Sequence, residues 1–521
     1  MKRYLTLILA ALIALTALCT MLGLISCSNG MSGNKDNGQT PGGTNTLPEE
    51  ERIPLDLPDK NYETSEGKTN FNILQWTVGD QNTPGQHWLP WEEGHVEEED
   101  GDMLSGAVFR RNAWVEQEFG VDITTEHVSL DRDPSFSQRV INNANSSGNE
   151  FQLMTLRTYD IFALIQQGMY LDMNQYAGTI LHTDQPWWVQ DSVKSFTLGS
   201  HLYVASTEML LRDKGSTAAL YFNQSIAEDY ADVLPDFFML AENGEWTFEI
   251  MLESCELVAS SADGDQEMNS NQDIWGCFGG DDPTYYLFNS MGFKFAHVDQ
   301  FGYIEYDYGD DDNDSIVTMQ RIFEEFMFAD WYLNEGVNGL DILDENQDPF
   351  VDGQALFKSG MVKDTSTVLK HMKDMYGILP HPMLDDNQEN YSSLVWVHHD
   401  SVIGIPLHVK DSEMCAIILE ALSWESYYSV YPVFYDTILL NRAAKDEESK
   451  RMLQLIFGSR SYDPGQYYDT GATASGLHHD DGLLRLAHKG SADIAGMWAG
   501  FKPLVEDNIR QVNNWVAGNE N

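Results

Sequence analysis

The sequence predicts an α/β protein, and the first observation behind this prediction is the order of apolar segments after residue 70. Residues 71–78 are apolar on nearly both faces, which is typical of a buried parallel strand. Apolar side chains then recur at helical spacing over residues 104–119, and Gly120 is placed to end that helix. Residues 121–124 are predicted as the next strand. Strand, helix and strand in this order indicate a sheet flanked by helices.

The second observation is that this alternation continues along the chain and restarts after residue 205 with an apolar face of its own. Roughly 450 residues follow residue 69, which suggests two or more lobes. The further predicted strands are residues 159–163, 202–205, 218–222, 378–380 and 401–406, and the further predicted helices are residues 163–168, 248–258, 316–328, 412–422 and 447–457.

The amino terminus has the form of a lipoprotein signal peptide. Lys2 and Arg3 form a basic region, residues 5–24 are almost wholly apolar, and Leu24-Ile25-Ser26-Cys27 has the form of a lipoprotein cleavage box. A transmembrane anchor is one alternative, because an apolar stretch of about 20 residues can span a bilayer. A plain secretory signal is the other. We expect removal of residues 1–26 and anchoring to the outer face of the cell membrane by lipid, including palmitate, on Cys27.

Residues 27–69 are predicted to be a tether between the anchor and the folded part. Residues 28–48 consist mostly of Ser, Asn, Gly, Gln, Thr and Pro. Such a stretch cannot bury enough apolar surface to fold by itself, so we expect it to be flexible.

Acidic residues dominate the composition. The chain has 82 acidic and 30 basic residues, a formal net charge of −52, and loss of Lys2 and Arg3 with the signal peptide leaves 28 basic residues and a charge of −54. This balance argues against nucleic-acid binding, which needs a basic footprint, and against contact with an anionic membrane surface. The hydrophobic content of 42% is ample for a globular core.

Cysteines and histidines give no sign of a metal site. Cys255, Cys277 and Cys415 show no metal-ligand spacing, and we expect buried free thiols, with a disulfide between Cys255 and Cys277 as the alternative. His398 and His399 are adjacent and point apart on a strand, so we expect no metal there. The acidic runs at residues 97–100 and 310–314 are interpreted as solvated loops, with calcium binding as the alternative.

Several short segments, in order over about residues 70–515, resemble motifs of one protein family. They are Tyr159-Asp160-Ile161 with Gly168-Met169-Tyr170-Leu171-Asp172, His201-Leu202-Tyr203-Val204 with Leu220-Tyr221-Phe222-Asn223, Trp246-Thr247-Phe248-Glu249, Ala355-Leu356-Phe357-Lys358-Ser359-Gly360, and Tyr376-Gly377-Ile378-Leu379-Pro380. The chain thus resembles the extracellular solute-binding proteins of the family 1, sugar-binding type that serve bacterial ABC importers. Ser200-His201 stands where the family has glycine-lysine, and Trp246-Thr247 inverts the family's order.

This resemblance implies a two-lobed periplasmic-binding-protein-like fold, each lobe a mixed sheet flanked by helices, with a hinge between the lobes and the ligand in the cleft. It implies chain crossings near residues 204–207 and 378–380. The first lobe would be residues 70–205 with 380–410. The second would be residues 206–379 with 411–521.

The resemblance also implies a function without chemistry or a cofactor. The chain would capture a carbohydrate, expected to be an oligosaccharide, and deliver it to the permease subunits of an ABC transporter. An exported glycoside hydrolase and a surface adhesin lipoprotein are the alternatives. With 82 acidic residues a close carboxylate pair is guaranteed by chance, so such a pair would not indicate a hydrolase.

Sugars present C–H faces and hydroxyl groups, so a sugar site combines flat aromatic rings with polar side chains. Tryptophans at predicted loop or element ends are therefore candidates, with core packing as the alternative for each. Adjacent side chains such as Trp187 and Trp188 are expected to be difficult to bury together. The tryptophan candidates are Trp76, Trp187, Trp188, Trp275 and Trp396, and position in the family adds Tyr159, Asp160, Asp281, Asp282, Tyr285, His399 and Asp400. Helix capping is the alternative role for Asp160.

Overall fold

The structure is a computed structural model that describes most of the chain after residue 51. The described residues are 52–77, 91–99, 101–129, 136–145, 149–262, 264, 268, 272–308, 314–334, 348–438, 447–468, 490–491 and 493–519. The signal peptide, Cys27, the tether up to residue 51 and the acidic run at 310–313 lie outside this part. Of Asp160 only the backbone is described.

Strands of two to nine residues are distributed along the whole described part. They are β1 Thr69–Thr77, β2 Val121–Ser129, β3 Leu153–Leu156, β4 Thr197–Leu198, β5 His201–Leu202, β6 Ala218–Asn223, β7 Trp275–Gly279, β8 Ala296–Val298, β9 Ile304–Tyr306, β10 Tyr332–Asn334, β11 Ala355–Met361, β12 Tyr376–Leu379, β13 Ser393–Leu394, β14 Val402–Gly404 and β15 Arg460–Ser461.

Helices alternate with these strands. They are α1 Met103–Phe119, α2 Phe136–Asn145, α3 Thr158–Gln166, α4 Gln190–Phe196, α5 Arg212–Gly215, α6 Gln224–Asp229, α7 Phe237–Asn243, α8 Phe248–Val258, α9 Pro283–Ser290, α10 Asp314–Arg321, α11 Ser412–Glu425, α12 Tyr431–Ile438, α13 Glu447–Gly458, α14 Pro464–Tyr467 and α15 Ile494–Asn519. Two π-helical turns, Ile322–Met327 and Ser426–Val430, follow α10 and α11, and short 3₁₀ turns occur at Met173–Tyr176, Val362–Ser366 and Leu369–His371.

The first sheet has the order β14-β3-β1-β2. β1 is parallel to both of its neighbours, and β14 runs antiparallel to β3. Apolar side chains on both faces of β1 are buried, as its sequence predicts. The helix that follows begins at Asp102, whose carboxylate accepts the amide hydrogens of Leu104 and Ser105, and ends at Gly120, which adopts φ +67°.

The second sheet has the order β10-β7-β11-β6-β12. β7 is parallel to β10 and β11, and β6 is antiparallel to β11 and β12. Every residue of β6, β7 and β11 is buried, because helices cover the sheet. Two mixed sheets flanked by helices confirm the predicted α/β, two-lobed class.

Two segments connect the sheets. Residues 206–217 lead from the first sheet region to β6, and residues 380–401 lead back from β12 to β14. Isolated bridges pair Ala205 with Ile403 and Thr217 with Val395, so the two segments run side by side.

The strand predicted at residues 159–163 is wrong, because these residues belong to α3 and the strand is Leu153–Leu156. The apolar side chains of Ile161 and Phe162 are buried on one face of that helix. All four residues of β3 are buried, so the strand has no polar alternation to identify it.

Residues 52–62, predicted as tether, instead pack on the helices. The Arg52 guanidinium contacts the Glu425 carboxylate at 2.8 Å and lies over the Trp424 ring at 5.4 Å. The indole N–H of Trp424 donates to the carbonyl of Ile53 at 2.8 Å. The part of the tether next to the first sheet is therefore held by specific contacts.

The three described cysteines, Cys255, Cys277 and Cys415, are buried free thiols, as expected, and the alternative disulfide is not formed. Among the helices of the described part, none has the length and apolarity to cross a membrane.

Candidate functional site

A short segment, residues 395–401, connects the edges of the two sheets, and we call it the crossing turn. At its start the backbone N–H of Trp396 donates to the carbonyl of Ser216, beside β6, at 3.0 Å. At its end the Asp400 carboxylate accepts the backbone N–H of Thr158, just after β3, at 3.1 Å, and also the Thr158 hydroxyl. The carboxyl end of β3 and the edge of the second sheet therefore meet at this turn.

Aromatic and cationic side chains line the first-sheet side of the crossing turn. The Arg157 guanidinium lies 5.7 Å from the centre of the Trp76 ring and 5.6 Å from that of Tyr159. Tyr159 is half-buried, and its ring lies 4.6 Å from the His398 ring. Trp76 is fully buried and donates its indole N–H to the Ser401 hydroxyl at 2.9 Å. Trp76 thus belongs to the core that packs against the crossing turn, whereas Tyr159 is partly exposed.

The aromatic row continues to the second sheet. The Trp396 ring lies 5.2 Å from His398 and 5.0 Å from Tyr285 of α9. Tyr286 approaches the same indole edge-on at 5.7 Å. Tyr159, His398, Trp396 and Tyr285 therefore form a continuous row of rings from one sheet to the other. Tyr159 and His398 are half-buried, whereas Trp396 and Tyr285 are at most 2% exposed.

Carboxylates lie beside this row between β7 and α9. Asp281 accepts a hydrogen bond from the Asn334 amide at 2.8 Å, and Asp282 accepts one from the Tyr286 hydroxyl at 3.5 Å. Both aspartates are half-buried. Carboxylates next to aromatic faces are the combination of groups that sugar recognition uses.

A buried cation contacts the crossing turn from the second sheet. The Lys363 Nζ atom lies 2.6 Å from Nδ1 of His399, and only 7% of each residue is exposed. Burial, followed by the nearby Lys363 charge, lowers the pKa of His399 well below its usual value, so its neutral imidazole accepts the hydrogen bond from Lys363. Burial also lowers the pKa of Lys363 itself, to about 8.

His381 is a further buried histidine at the end of β12. Its Nε2 lies 2.7 Å from the Ser359 hydroxyl, and burial lowers its pKa to about 3. The imidazole is therefore neutral at physiological pH. Its ring lies 5.6 Å from that of Tyr286, which in turn packs against Trp396 of the aromatic row.

Arg157, Lys363 and His381 were missed by sequence reasoning. Arg157 lies two residues before the Tyr159-Asp160-Ile161 motif, and this position could have identified it as a candidate site residue. Lys363 and His381 follow the ends of β11 and β12, and nothing in their local sequence distinguishes them from solvated side chains.

Trp187, Trp188 and Trp275 lie in the interior and not along this row. The expectation that Trp187 and Trp188 are difficult to bury together is wrong, since both are at most 2% exposed. Their indole N–H groups donate to the two oxygens of the Glu420 carboxylate at 2.8 and 2.9 Å. Trp275 is fully buried within β7.

A separate cavity of about 560 Å³ lies among the segments that connect the sheets. Trp188, Asp191 and Lys294 line one part of it, and Glu208 and Arg460 line another. The charged groups of the wall are paired, Lys294 with Asp191 at 3.1 Å and Arg460 with Glu208 at 2.9 Å.

No group of three or more His, Cys, Asp or Glu side chains in the described residues is arranged to hold a metal ion. The acidic run at residues 310–314, predicted as a solvated loop with calcium binding as the alternative, lies almost entirely outside that part.

Comparison with known proteins identifies the fold. No family model matches this chain. No curated protein matches its sequence. Among solved structures, a cyclo/maltodextrin-binding protein complexed with maltotetraose is similar with a TM-score of 0.51 at 12% identity, over 88% of this chain and 98% of that chain.

Two Listeria monocytogenes proteins are similar to a comparable degree. The ABC substrate-binding protein Lmo0181 in complex with cycloalternan has a TM-score of 0.50 at 11% identity, over 83% of this chain and 100% of that chain. The maltose-binding periplasmic protein MalE in complex with maltose has a TM-score of 0.50 at 14% identity, over 85% of this chain and 98% of that chain. The chain therefore has the fold of these solute-binding proteins, which is the fold that the sequence resemblance implied.

Proposed function

We propose that this protein is the ligand-binding component of an ABC importer and captures a carbohydrate, expected to be an oligosaccharide, between its two lobes. The observation that carries this proposal is the row of rings from Tyr159 to Tyr285, with Asp281 and Asp282 beside it, at the meeting edges of two sheets. The similar solved structures are sugar-binding proteins, which agrees with this assignment and with a role without catalysis.

Capture and release follow from the two-sheet arrangement. A ligand that touches both lobes only when they approach one another stabilises the closed form by its differential affinity for that form. Stacking on the half-buried rings of Tyr159 and His398 and hydrogen bonds to Asp281 or Asp282 on the second sheet would supply that difference. The permease would then recognise the closed, loaded receptor.

The lobe boundaries belong to the proposal. The first lobe would hold β1, β2, β3 and β14, and the second would hold β6, β7, β10, β11 and β12. The contacts between α11 and α1 favour assigning α11 to the first lobe, although the sequence assigned it to the second.

The location is the last part of the proposal. The protein would act outside the cytoplasm, held at the cell membrane by lipid on Cys27 through the segment that ends at Arg52. Replacement of Cys27 by serine should leave a precursor without lipid. A Cys27→Ser protein that matures and carries lipid as the wild type does would contradict the anchor.

A thermal-shift screen over mono- and oligosaccharides tests the sugar-binding function. A cognate sugar at 100 times its Kd should add about 2.7 kcal/mol to the free energy of unfolding.

Tyr159→Ala should reduce the affinity for that sugar about 5- to 150-fold by removing one ring face. Tyr435→Ala, on α12 and away from the crossing turn, is the matched control. If no sugar raises the melting temperature, or if a glycan is converted to products, the proposal fails.

A further inference from the structure

The C-terminal helix α15 is fixed at two places to the hairpin of β8 and β9. Near its start, the Trp498 ring stacks on that of Tyr306 at 5.2 Å. Near its end, the Oδ1 atom of Asn513 accepts the backbone N–H of Ile304, and its Nδ2 atom donates to the carbonyl of the same residue, each at 2.9 Å. The helix and the hairpin therefore form one unit.

The short helix α14 is fixed to the same hairpin. The Asp463 carboxylate, at the start of α14, accepts the backbone N–H groups of Phe295 at 2.9 Å and Ala296 at 3.2 Å. The Phe295 ring packs 5.1 Å from that of Phe288 in α9, which follows β7 of the second sheet. Both C-terminal helices thus belong with the second sheet.

Aromatic rings of this C-terminal part contact rings on the side of the first sheet. We call the six rings the aromatic clasp: Phe162, Phe196 and Tyr203 on the side of the first sheet, and Tyr467, Tyr468 and Trp515 of the C-terminal part. Phe162 lies 4.8 Å from Tyr468 and 6.2 Å from Trp515. Trp515 lies 5.9 Å from Tyr203, and Phe196 stacks on Tyr467 at 4.6 Å.

The first three rings are held by β3 and β14. α3 follows β3 directly. After α3, the backbone N–H of Leu171 donates to the carbonyl of Ile405, next to β14, at 2.8 Å. The Asp172 carboxylate then accepts the backbone N–H of Leu202 in β5 at 3.0 Å, and β5 pairs with β4, which follows α4. These three rings of the clasp therefore belong with the first sheet.

The clasp and the candidate sugar site share a face of α3. Tyr159, at the end of the aromatic row, lies three positions before Phe162, and residues three apart are neighbours on the surface of a helix. The C-terminal rings thus approach the first sheet on the side that carries Tyr159. Contacts on this side join the two sheets only while the sheets are close together.

Two polar contacts extend the same junction. The Lys294 ammonium, just before β8, lies 3.1 Å from the Asp191 carboxylate of α4. The backbone N–H of Gly199, between β4 and β5, donates to the carbonyl of Gly302, between β8 and β9, at 2.9 Å. The hairpin of β8 and β9 therefore contacts the side of the first sheet beyond the six rings.

We propose that the aromatic clasp is a latch that holds the two lobes closed over the sugar, and that Trp515 is a positioning residue that acts on the sugar only through the closed form. The inference rests on the proposed function. Opening of the cleft separates the rings, while the anchors of α14 and α15 on the hairpin stay in place. The clasp thus favours the closed form by an amount that does not depend on the sugar.

Calorimetric titration of the whole mature chain with several sugars found in the screen tests this proposal. Trp515→Ala should raise the Kd about 5-fold or more, because two ring contacts across the lobes are lost. The factor should be the same for every sugar, since loss of the clasp lowers the population of the closed form whatever the ligand.

Two further variants of α15 assign the effect to the ring. Trp515→Phe keeps an aromatic ring and should retain most of the affinity. Leu504→Ala is the matched control, because Leu504 is an apolar residue of the same helix that is 38% exposed, and its Kd should equal that of the wild type.

The rate of dissociation, measured by stopped flow, checks the mechanism. Sugar should leave Trp515→Ala faster by about the factor by which the Kd rises, because the clasp forms after the sugar has entered the cleft. Fewer binding sites per chain at an unchanged Kd would show a loss of fold and overturn the latch.

The remaining outcomes separate the two proposals. A Trp515→Ala protein that binds every sugar as the wild type does would overturn the latch and leave the sugar receptor standing. A loss confined to some sugars would show that Trp515 touches the ligand, and would also overturn the indirect role. The failure of every sugar to bind the wild type would overturn the proposed function and the latch with it.

Discussion

Among individual residues, several buried polar side chains form hydrogen bonds with residues that are far away in the sequence. Glu420 is the clearest case, since its carboxylate accepts the indole N–H groups of Trp187 and Trp188, more than 230 positions away in the chain. Burial raises the pKa of Glu420, and the hydrogen bonds of the two indoles oppose that shift. Two adjacent tryptophans are thereby buried together without an unsatisfied donor.

Glu420→Ala should destabilise the fold by about 2–5 kcal/mol, because it leaves two buried indole N–H groups without an acceptor. Chemical denaturation measures this loss. Glu413→Ala, at the exposed first turn of the same helix, is the control and should change the free energy of unfolding little. Equal, small losses in both variants would contradict the structural role of Glu420.

The sequence could identify the aromatic candidates but not which of them lie at the crossing turn. The local sequence does not distinguish the four tryptophans Trp76, Trp187, Trp275 and Trp396 from one another, and all four are buried. Trp396 differs from Trp187 in its neighbours, because its ring packs against those of His398 and Tyr285. The contact with Tyr285 is a tertiary contact, which the local sequence does not reveal.

At the scale of elements, the long periodic segments were predictable and the short buried ones were not. The predicted helices at residues 104–119 and 248–258 and the strand at 218–222 match observed elements to within one residue. β3, with four buried residues, was missed because periodicity cannot identify so short an apolar stretch.

The segments between the sheets are joined by a buried ion cluster. Arg460 of β15 contacts Asp213 and Glu208 at 2.9 Å each, and Lys214 contacts Glu208 at 2.9 Å. Burial alone would lower the pKa of Arg460, but Glu208 and Asp213 raise it, so the guanidinium is charged. The cluster therefore connects β15 to the segment that leads into β6.

Arg460→Met should cost about 3–5 kcal/mol, since it leaves the two buried carboxylates of Glu208 and Asp213 to share Lys214 alone among the cations of this cluster. Arg451→Met is the control, because Arg451 lies on the surface of α13 and pairs there with Glu242. Denaturation curves of the two variants are compared with the wild type. The cluster has no stabilising role if Arg460→Met is as stable as the control.

At the scale of the whole molecule, the fold was predictable and the site only in part. Residue motifs spread over the chain indicated the two-lobed α/β class, and the similar solved structures share it. Arg157 and Lys363 could not be assigned to one site from the sequence, because more than 200 positions separate them and only the packing of the sheets against the crossing turn places each of them beside it.

Hydrogen–deuterium exchange with and without a sugar found in the screen tests most directly whether the ligand lies between the two sheets. Saturating sugar should slow amide exchange in three separate regions, namely residues 157–163 after β3, α9 after β7, and the crossing turn. Protection confined to one sheet, or protection elsewhere with none at the crossing turn, would contradict the account.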